Sequence, residues 1–175
     1  MFLAVLLASL SLHIHPSEID SLLRELDMSI RNRPQYTLKR QEQIDALQRK
    51  LRLSHSDQER YDLYRELFGK YRSYRMDSAL WVANQRVELA KRMKNPLYIR
   101  SAELNIAEVM IGVAMYKEGL EILDGIKSAD LDASGVSYYY YQYHQVYTLM
   151  ADYAFSDQMK EHYRGLAYQY KDSII

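Results

Sequence analysis

The sequence predicts an all-α protein: a right-handed stack of antiparallel helical hairpins, or α-solenoid, with about seven to eight helices after an N-terminal segment. Three observations support this prediction. Apolar residues recur at intervals of three and four along most of the chain, which is the period of an amphipathic helix. Only three Pro and six Gly occur in 175 residues, so long stretches contain no helix breaker. Helical hairpins of similar pattern follow one another at an offset of about 40 residues, which is typical of a repeat architecture.

Composition narrows the class of partner. Lys and Arg number 23 and Asp and Glu number 23, so the formal net charge is zero. This balance argues against nucleic acid or an anionic membrane surface as a direct partner. The chain contains no Cys, which excludes disulfides, Cys-ligated metals and thiol catalysis but is compatible with either a reducing or an oxidising compartment.

Residues 1–15 have the character of an export signal. The apolar run from Phe2 to Leu12 is too short for a transmembrane helix, which needs about 20 residues. Its length matches the hydrophobic region of a secretory signal. No Lys or Arg precedes the run and no clean cleavage site follows it, so a buried N-terminal helix is the alternative. We therefore expect an exported protein on the periplasmic side, with a cytoplasmic protein as the alternative.

A first pair of helices, an N-terminal helical hairpin, is predicted within residues 16–55. Apolar residues recur at helical spacing from Ile19 to Ile30. Pro34 is expected to end this helix, because proline disfavours α geometry in the residue before it. A narrow apolar stripe that begins at Ile44 then indicates a second helix, suited to pack against the first.

Residues 56–175 are predicted to form three further hairpins. Their ranges are 56–94, 97–127 and 135–175. In the middle hairpin a glycine, an aromatic ring, a second glycine and an apolar residue stand at Gly112, Tyr116, Gly119 and Leu120. This spacing resembles the signature of a tetratricopeptide repeat. One such hairpin cannot bury its apolar face alone, whereas a stack of several forms a continuous core.

A stripe of small residues is predicted to lie at a close contact between helices. Ala79, Ala83 and Ala90 fall on one face of the second helix of the first repeat. Small side chains at this spacing allow a neighbouring helix to approach closely. Enlarging one of them is therefore expected to overpack the contact.

A more specific resemblance runs from residue 22 to residue 90. The residues that carry it are Leu23-Arg24-Glu25-Leu26-Asp27, Arg33-Pro34-x-Tyr36, Tyr61-x2-Tyr64-x2-Leu67-Phe68 and Asp77-Ser78-Ala79-Leu80. This order resembles the N-terminal sensory region of a Gram-negative gut-bacterial family of membrane-bound helix-turn-helix transcriptional regulators. The resemblance implies an exported tetratricopeptide-like domain that is followed, in that family, by a transmembrane helix, a coiled coil and a DNA-binding segment. This sequence stops at Ile175 without them, so we expect either a fragment of such a regulator or a shortened relative that only binds.

The sequence carries no motif of a catalytic, nucleotide-binding or metal site. His13 and His15 stand two residues apart, but neither a Cys nor a nearby group of carboxylates completes a ligand set. His144 and His162 lie on different predicted helices and are given no role. We therefore expect a protein that is not an enzyme and that uses neither a metal nor a cofactor.

Tyrosine is concentrated between residues 138 and 147. The rings expected in the core are Tyr140, Tyr143 and Tyr147. Tyr138 and Tyr141 point away from that face, where tyrosine beside polar groups is suited to recognition because its ring gives a large contact area at a small entropic cost. The alternative is that this second face packs on another helix.

A partner-binding surface is expected on the concave side of the stack, which the first helix of each hairpin lines. The predicted partner-binding residues are Ser101, Leu104 and Glu108 on one such helix and Tyr138, Tyr141 and Gln145 on the next. No row of Arg or Lys accompanies them in the pattern. An extended peptide or a partner helix is therefore expected there rather than a nucleic acid.

Together these features predict a non-enzymatic binding or sensing module on an exported helical scaffold. Its partner would be a peptide, a protein or a second copy of the chain. One alternative is a cytosolic protein–protein adaptor of the same fold. The other is an enzyme, which would need a cluster of perturbed carboxylates or His in a pocket.

Overall fold

The computed structural model describes residues 16–174, and they confirm the predicted all-α class because they contain helices and no strand. The helices are α1 (Pro16–Leu53), α2 (Asp57–Tyr71), α3 (Met76–Arg92), α4 (Pro96–Gly112), α5 (Tyr116–Asp124), a 3-10 turn (Ser128–Asp130), α6 (Ala133–Asp152) and α7 (Asp157–Lys171). The predicted export signal, residues 1–15, lies outside the described residues. None of the described helices is long and apolar enough to cross a membrane.

The chain divides into two units, residues 1–42 and residues 43–175. In the first unit, α1 carries exposed side chains from Ile19 to Glu42, apart from the half-buried Asn32. Its exposed apolar residues are Ile19, Leu22, Leu23, Leu26, Met28, Ile30, Tyr36 and Leu38. This part of the chain is therefore a solvated helix with an apolar stripe.

The helix break predicted at Pro34 is wrong, and with it the two-helix hairpin predicted within 16–55. α1 runs without interruption through Pro34. Proline removes only the hydrogen bond that its own N–H would donate to the carbonyl of Ile30, and Ile30 is exposed, so water can solvate that carbonyl. The Thr37 hydroxyl donates to the Arg33 carbonyl at 3.0 Å, one residue before Pro34. The helix therefore continues across a residue that usually ends one.

The second unit contains three antiparallel hairpins, α2 with α3, α4 with α5 and α6 with α7, preceded by the last turns of α1. Four of the helices begin at a side chain that accepts a hydrogen bond from the first turn: Ser56, Asn95, Asp132 and Ser156. The second helices begin at Met76, Tyr116 and Asp157, so successive hairpins are offset by about 40 residues, as predicted. The caps and turns of the sequence thus set the observed repeat.

Two clusters of buried residues hold this unit together. The first joins α1, α2, α3 and one side of α4, and it contains Ala79, Ala83 and Ala90, which are fully buried as predicted. The second joins the other side of α4 to α5, α6 and α7. α4 is therefore packed on two faces, and it connects the first hairpin to the last.

The tyrosines of α6 build most of the contact with α7. Tyr143 is buried, and its ring stacks on Tyr170 at a centroid distance of 4.5 Å and an interplanar angle of 10°. Tyr147 is half-buried and stacks on both Tyr163 and Tyr170. Tyr140 also contacts Tyr170. The prediction that Tyr143 and Tyr147 belong to the core is confirmed, whereas Tyr140 is half-buried and lies outside the second core cluster.

Candidate functional site

An open pocket lies where α2, α4 and the start of α6 meet, on the face formed by the first helices of the hairpins. Its volume is about 430 Å³. We call it the inner-face pocket; the residues that define it here are Tyr61, Arg65, Gly69, Arg86, Tyr98, Ser101, Asn105 and Tyr138. α2, α4 and α6, which supply most of these residues, are the first helices of their hairpins. α3 is a second helix, and it supplies Arg86.

Two stacked tyrosines form one wall of the inner-face pocket. The rings of Tyr61 and Tyr98 are nearly parallel, with centroids 4.5 Å apart. The Tyr61 hydroxyl donates to the carbonyl of Tyr98 at 2.8 Å, and burial raises the pKa of this phenol. Because Tyr61 belongs to α2 and Tyr98 to α4, the pair fixes two first helices to each other.

A buried arginine forms the floor of the inner-face pocket. The Arg86 side chain is only 1% exposed, and its guanidinium carbon lies 4.3 Å from the centroid of the Tyr61 ring. One terminal nitrogen donates to the amide oxygen of Asn105, while the Nε of Arg86 has no partner. Burial lowers the pKa of Arg86, yet a guanidinium stays protonated at neutral pH. The floor therefore holds a positive charge whose only strong hydrogen-bond partner is neutral.

The carboxylates around the pocket each have partners of their own. Glu108 forms an ion pair with Arg72 at 2.9 Å and also accepts from the hydroxyl of Tyr138. Burial and the neighbouring Glu108 carboxylate both raise the pKa of Tyr138. Asp62 pairs with Arg65 at 3.3 Å.

The third carboxylate, Asp132, is held by the start of α6. It caps the helix by accepting from the backbone N–H of Gly135 at 2.7 Å, and it accepts from the Ser134 hydroxyl at 2.9 Å. A carboxylate at a helix N-terminus is further stabilised by the helix dipole. The acidic groups are thus already satisfied within the wall.

The structure brings together only some of the predicted partner-binding residues. Ser101 and Tyr138 line the inner-face pocket, and Glu108 lies at its edge through Arg72 and Tyr138. Leu104 also borders this pocket, but the expectation that it faces outward is wrong, because it is 1% exposed and packs in the second core cluster. It is buried because α4 is covered on both faces.

The remaining two predicted residues lie apart from this pocket. Tyr141 is exposed and does not line the inner-face pocket. Gln145 lines a separate depression with Tyr116 and Tyr153. The predicted surface is therefore divided between two places, and a binding role for any of its residues stays a prediction.

The sequence pattern missed the arginines of this face. Arg86 follows Ala79 and Ala83 and precedes Ala90 at intervals of four, three and four, so it stands on the stripe that was expected to be buried. This spacing was the signal that could have placed a charge in the core. Arg65 and Arg72 line the same pocket, although the sequence pattern shows no row of Arg or Lys beside the predicted surface.

The arrangement is suited to binding. Aromatic faces, a buried cation and several exposed hydrogen-bonding groups surround an open volume. Within residues 16–174, no group of three or more His, Asp or Glu is placed to hold a metal ion.

Comparison with known families gives one match. The family model described as the SusR N-terminal TPR domain matches residues 30–175, which is most of the chain and includes all three hairpins. Neither the curated proteins nor the solved structures that were compared match the chain. The observed stack of helical hairpins agrees with a tetratricopeptide (TPR) family, whose domains are generally protein-interaction modules. The chain therefore belongs to the SusR N-terminal TPR domain family.

Proposed function

We propose that the chain is a non-enzymatic binding and sensing module that holds an extended segment of a peptide or protein on its inner face. The observation that carries this proposal is the inner-face pocket, which combines the Tyr61–Tyr98 stack with polar groups on first helices. Rings on a rigid scaffold offer contact area at a small entropic cost. Extended segments leave backbone amides unpaired, and side chains such as Ser101 and Asn105 are suited to bond them.

The proposal extends to the setting in which binding is used. The family description places this TPR domain at the N-terminus of SusR. The residue order of 22–90 and the apolar run from Phe2 to Leu12 favour the exported sensory part of a signal-transduction or transcriptional regulator, or a shortened relative of one. The second candidate, a cytosolic adaptor, is favoured by the missing basic residues before that run. Cell fractionation followed by mass spectrometry of the mature N-terminus distinguishes the two: a chain cleaved near residue 15 supports export, and an intact N-terminus in the cytosol supports the adaptor.

Peptide binding is tested by closing the pocket without disturbing the core. A Cβ added at Gly69 in α2 meets no atom within 4 Å, and Gly69 lines the inner-face pocket. Gly69→Trp therefore places a large ring at the pocket from an exposed helix position where a Cβ meets no other atom. Gly165→Trp is the matched control, because Gly165 also has open space around it, sits in another helix of the same length and does not line this pocket.

The measurement is selection of peptides by the immobilised protein from a random decapeptide mixture, read by mass spectrometry. We expect the wild type and Gly165→Trp to retain the same set of sequences, and Gly69→Trp to lose at least nine tenths of it. Circular dichroism confirms that each variant is folded. Retention of the same peptides by Gly69→Trp would place binding elsewhere, and no retention by the wild type would contradict the proposal.

A further inference from the structure

The inner-face pocket has an unbalanced charge at its floor. Three arginines, Arg65, Arg72 and Arg86, line it, and three carboxylates stand around it. Arg65 and Asp62 neutralise each other in one ion pair, and Arg72 and Glu108 do so in another. The third carboxylate, Asp132, faces the first turn of α6 instead. None of the described ion pairs includes Arg86. The positive charge of Arg86 is therefore in contact with no carboxylate.

An uncompensated buried charge is costly, and a bound anion would reduce that cost. Asn105 supplies a neutral amide oxygen to the Arg86 guanidinium, and Tyr61 supplies a neutral hydroxyl and a ring face. A buried ion is retained most favourably when it is paired and fully hydrogen-bonded, and here Nε has no acceptor at all. Because the Arg86 guanidinium is buried against the Tyr61 ring, its charge is poorly screened and attracts an anion strongly.

We propose that the inner-face pocket receives one carboxylate group of the bound peptide, seated above Arg86 and beside Arg65. This inference rests on the proposed function, since it specifies which group of the peptide occupies the pocket. Arg65 can contribute because its side chain is 64% exposed and its ion pair with Asp62 lies at the surface, where such pairs are weak. A carboxylate matches the fork of the exposed Arg65 guanidinium and can form two parallel hydrogen bonds with it, while Arg86 contributes its charge from the floor.

The charge balance favours a carboxylate over a phosphate. After the two internal pairs are counted, Arg86 and Asp132 remain, and Asp132 is held at the first turn of α6. A carboxylate therefore matches the single positive charge of Arg86 with a single negative charge. A phosphate group carries nearly two at neutral pH. It would also face Asp62, Glu108 and Asp132, whose like charges would repel the second negative charge.

The test is a titration followed at the Arg86 side chain. The ¹H–¹⁵N resonance of Arg86 Nε is assigned by its loss in Arg86→Lys, and the wild-type protein is titrated at constant ionic strength with four probes. N-acetylglycine presents a main-chain carboxylate, the α-amide of N-acetylaspartate presents a side-chain carboxylate, N-acetylglycinamide is the neutral isostere, and inorganic phosphate is the competing anion. We expect a saturable shift with at least one carboxylate, and at least tenfold weaker binding of the amide and of phosphate.

The two carboxylate probes distinguish the two sources of the group. Tighter binding of N-acetylglycine assigns the pocket to the C-terminus of a peptide, and tighter binding of the aspartate derivative assigns it to an acidic side chain. Equal shifts with the neutral amide, tighter binding of phosphate, or no response to either carboxylate would overturn the proposal. These wild-type titrations decide the question even where a variant fails to fold.

Variants add a matched comparison. Arg86→Gln removes the floor charge and should weaken the carboxylate probe at least tenfold, measured at the surrounding backbone amides. Arg92→Gln is the control, because Arg92 pairs with Asp57 on the surface and does not line the pocket. The affinity of this variant for the carboxylate probe should equal that of the wild type. Equal weakening in both variants would also overturn the proposal.

The two proposals fail in different ways. If the wild type retains peptides that Gly69→Trp loses, the proposed function is supported, even where the carboxylate probes give no response. Conversely, a carboxylate-specific shift at Arg86 without any retained peptide keeps the anion site and contradicts peptide binding.

Discussion

At the scale of single residues, the informative side chains are polar groups on helix faces that are otherwise apolar. Arg86 of α3 bonds Asn105 of α4, and Gln142 of α6 donates to the carbonyl of Leu104 at 2.7 Å. Both bonds connect one hairpin to the next. Because a buried polar group without its partner is costly, each bond favours one register of stacking over its neighbours.

The hydroxyl of Tyr138 is predicted to contribute to stability, whereas the ring of Tyr141 is not. Tyr138→Phe removes the hydroxyl that donates to Glu108 and should lower the free energy of unfolding by about 1 kcal/mol. Tyr141 is exposed, so Tyr141→Ala should change it by less than about 0.5 kcal/mol. Urea denaturation measures both. A larger loss in Tyr141→Ala than in Tyr138→Phe would contradict the observed placement of the two rings.

At the scale of helices and turns, the turns that follow α3 and α4 have the same backbone geometry. α3 and α4 each end with a non-glycine residue in the left-handed region, Lys94 at φ 51° and Ala114 at φ 63°. In both turns the next residue donates its N–H back five positions, from Asn95 to Ala90 and from Met115 to Met110. This is the hydrogen-bond pattern of a Schellman motif, in which glycine is the favoured residue. The repeat thus preserves a turn geometry even where its sequence does not contain glycine.

Ala114→Gly is therefore expected to stabilise the protein. Glycine relieves the strain of a positive φ, which costs other residues about 1–2 kcal/mol. Part of this stabilisation is lost, because glycine raises the conformational entropy of the unfolded chain. The expected net effect is about 0.5–1 kcal/mol, or a rise in Tm of about 1–4 °C. Differential scanning calorimetry measures it. A fall in Tm would mean that this turn does not have the positive φ described.

The small-residue face of α3 gives the opposite prediction. Ala83 is fully buried in the first core cluster, so Ala83→Leu adds volume where none is free and should cost about 1–3 kcal/mol. Thermal unfolding of this variant is compared with that of Asn84→Leu, whose neighbouring position is exposed. If the two variants melt alike, close packing on this face is disproved.

At the scale of the whole molecule, residues 43–175 contain a complete core of their own. Every buried side chain among the described residues lies at Ile44 or beyond. α4 contributes to both core clusters, since Ala102 and Val109 belong to the first and Leu104 and Ile111 to the second. A helix shared in this way couples neighbouring repeats, so the stack should unfold as one cooperative unit.

A chain that begins at Gln43 is predicted to remain folded. Removing residues 1–42 deletes none of the described buried side chains, so its Tm should lie within about 4 °C of that of the full chain, which corresponds to about 1 kcal/mol. Its unfolding should be a single transition by both circular dichroism and calorimetry. A shortened chain that is unfolded, or that melts in two separate steps, would contradict a self-sufficient core.

The sequence was sufficient for the fold, because helical periodicity, the caps and the repeat offset all indicate the same architecture. It was insufficient at Pro34, where a general preference of proline was overridden in a solvated helix. It placed Tyr143 and Tyr147 of α6 in the core, where the structure has them. The inner-face pocket, however, depends on which residues of α2, α3 and α4 meet across the repeats. That meeting is a property of packing, so Arg86 was identified only from the structure.

The central claim is that the first helices of the hairpins carry the binding site, and photo-cross-linking tests it most directly. Peptides retained by the wild type are resynthesised with a benzophenone side chain, irradiated in the complex, and mapped by mass spectrometry after digestion. We predict cross-links to the pocket-lining parts of α2, α4 and the start of α6, near residues such as Gly69, Ser101 and Tyr138. Cross-links concentrated on α5 and α7, or on the exposed Trp81 of α3, would contradict the claim and assign binding to another face.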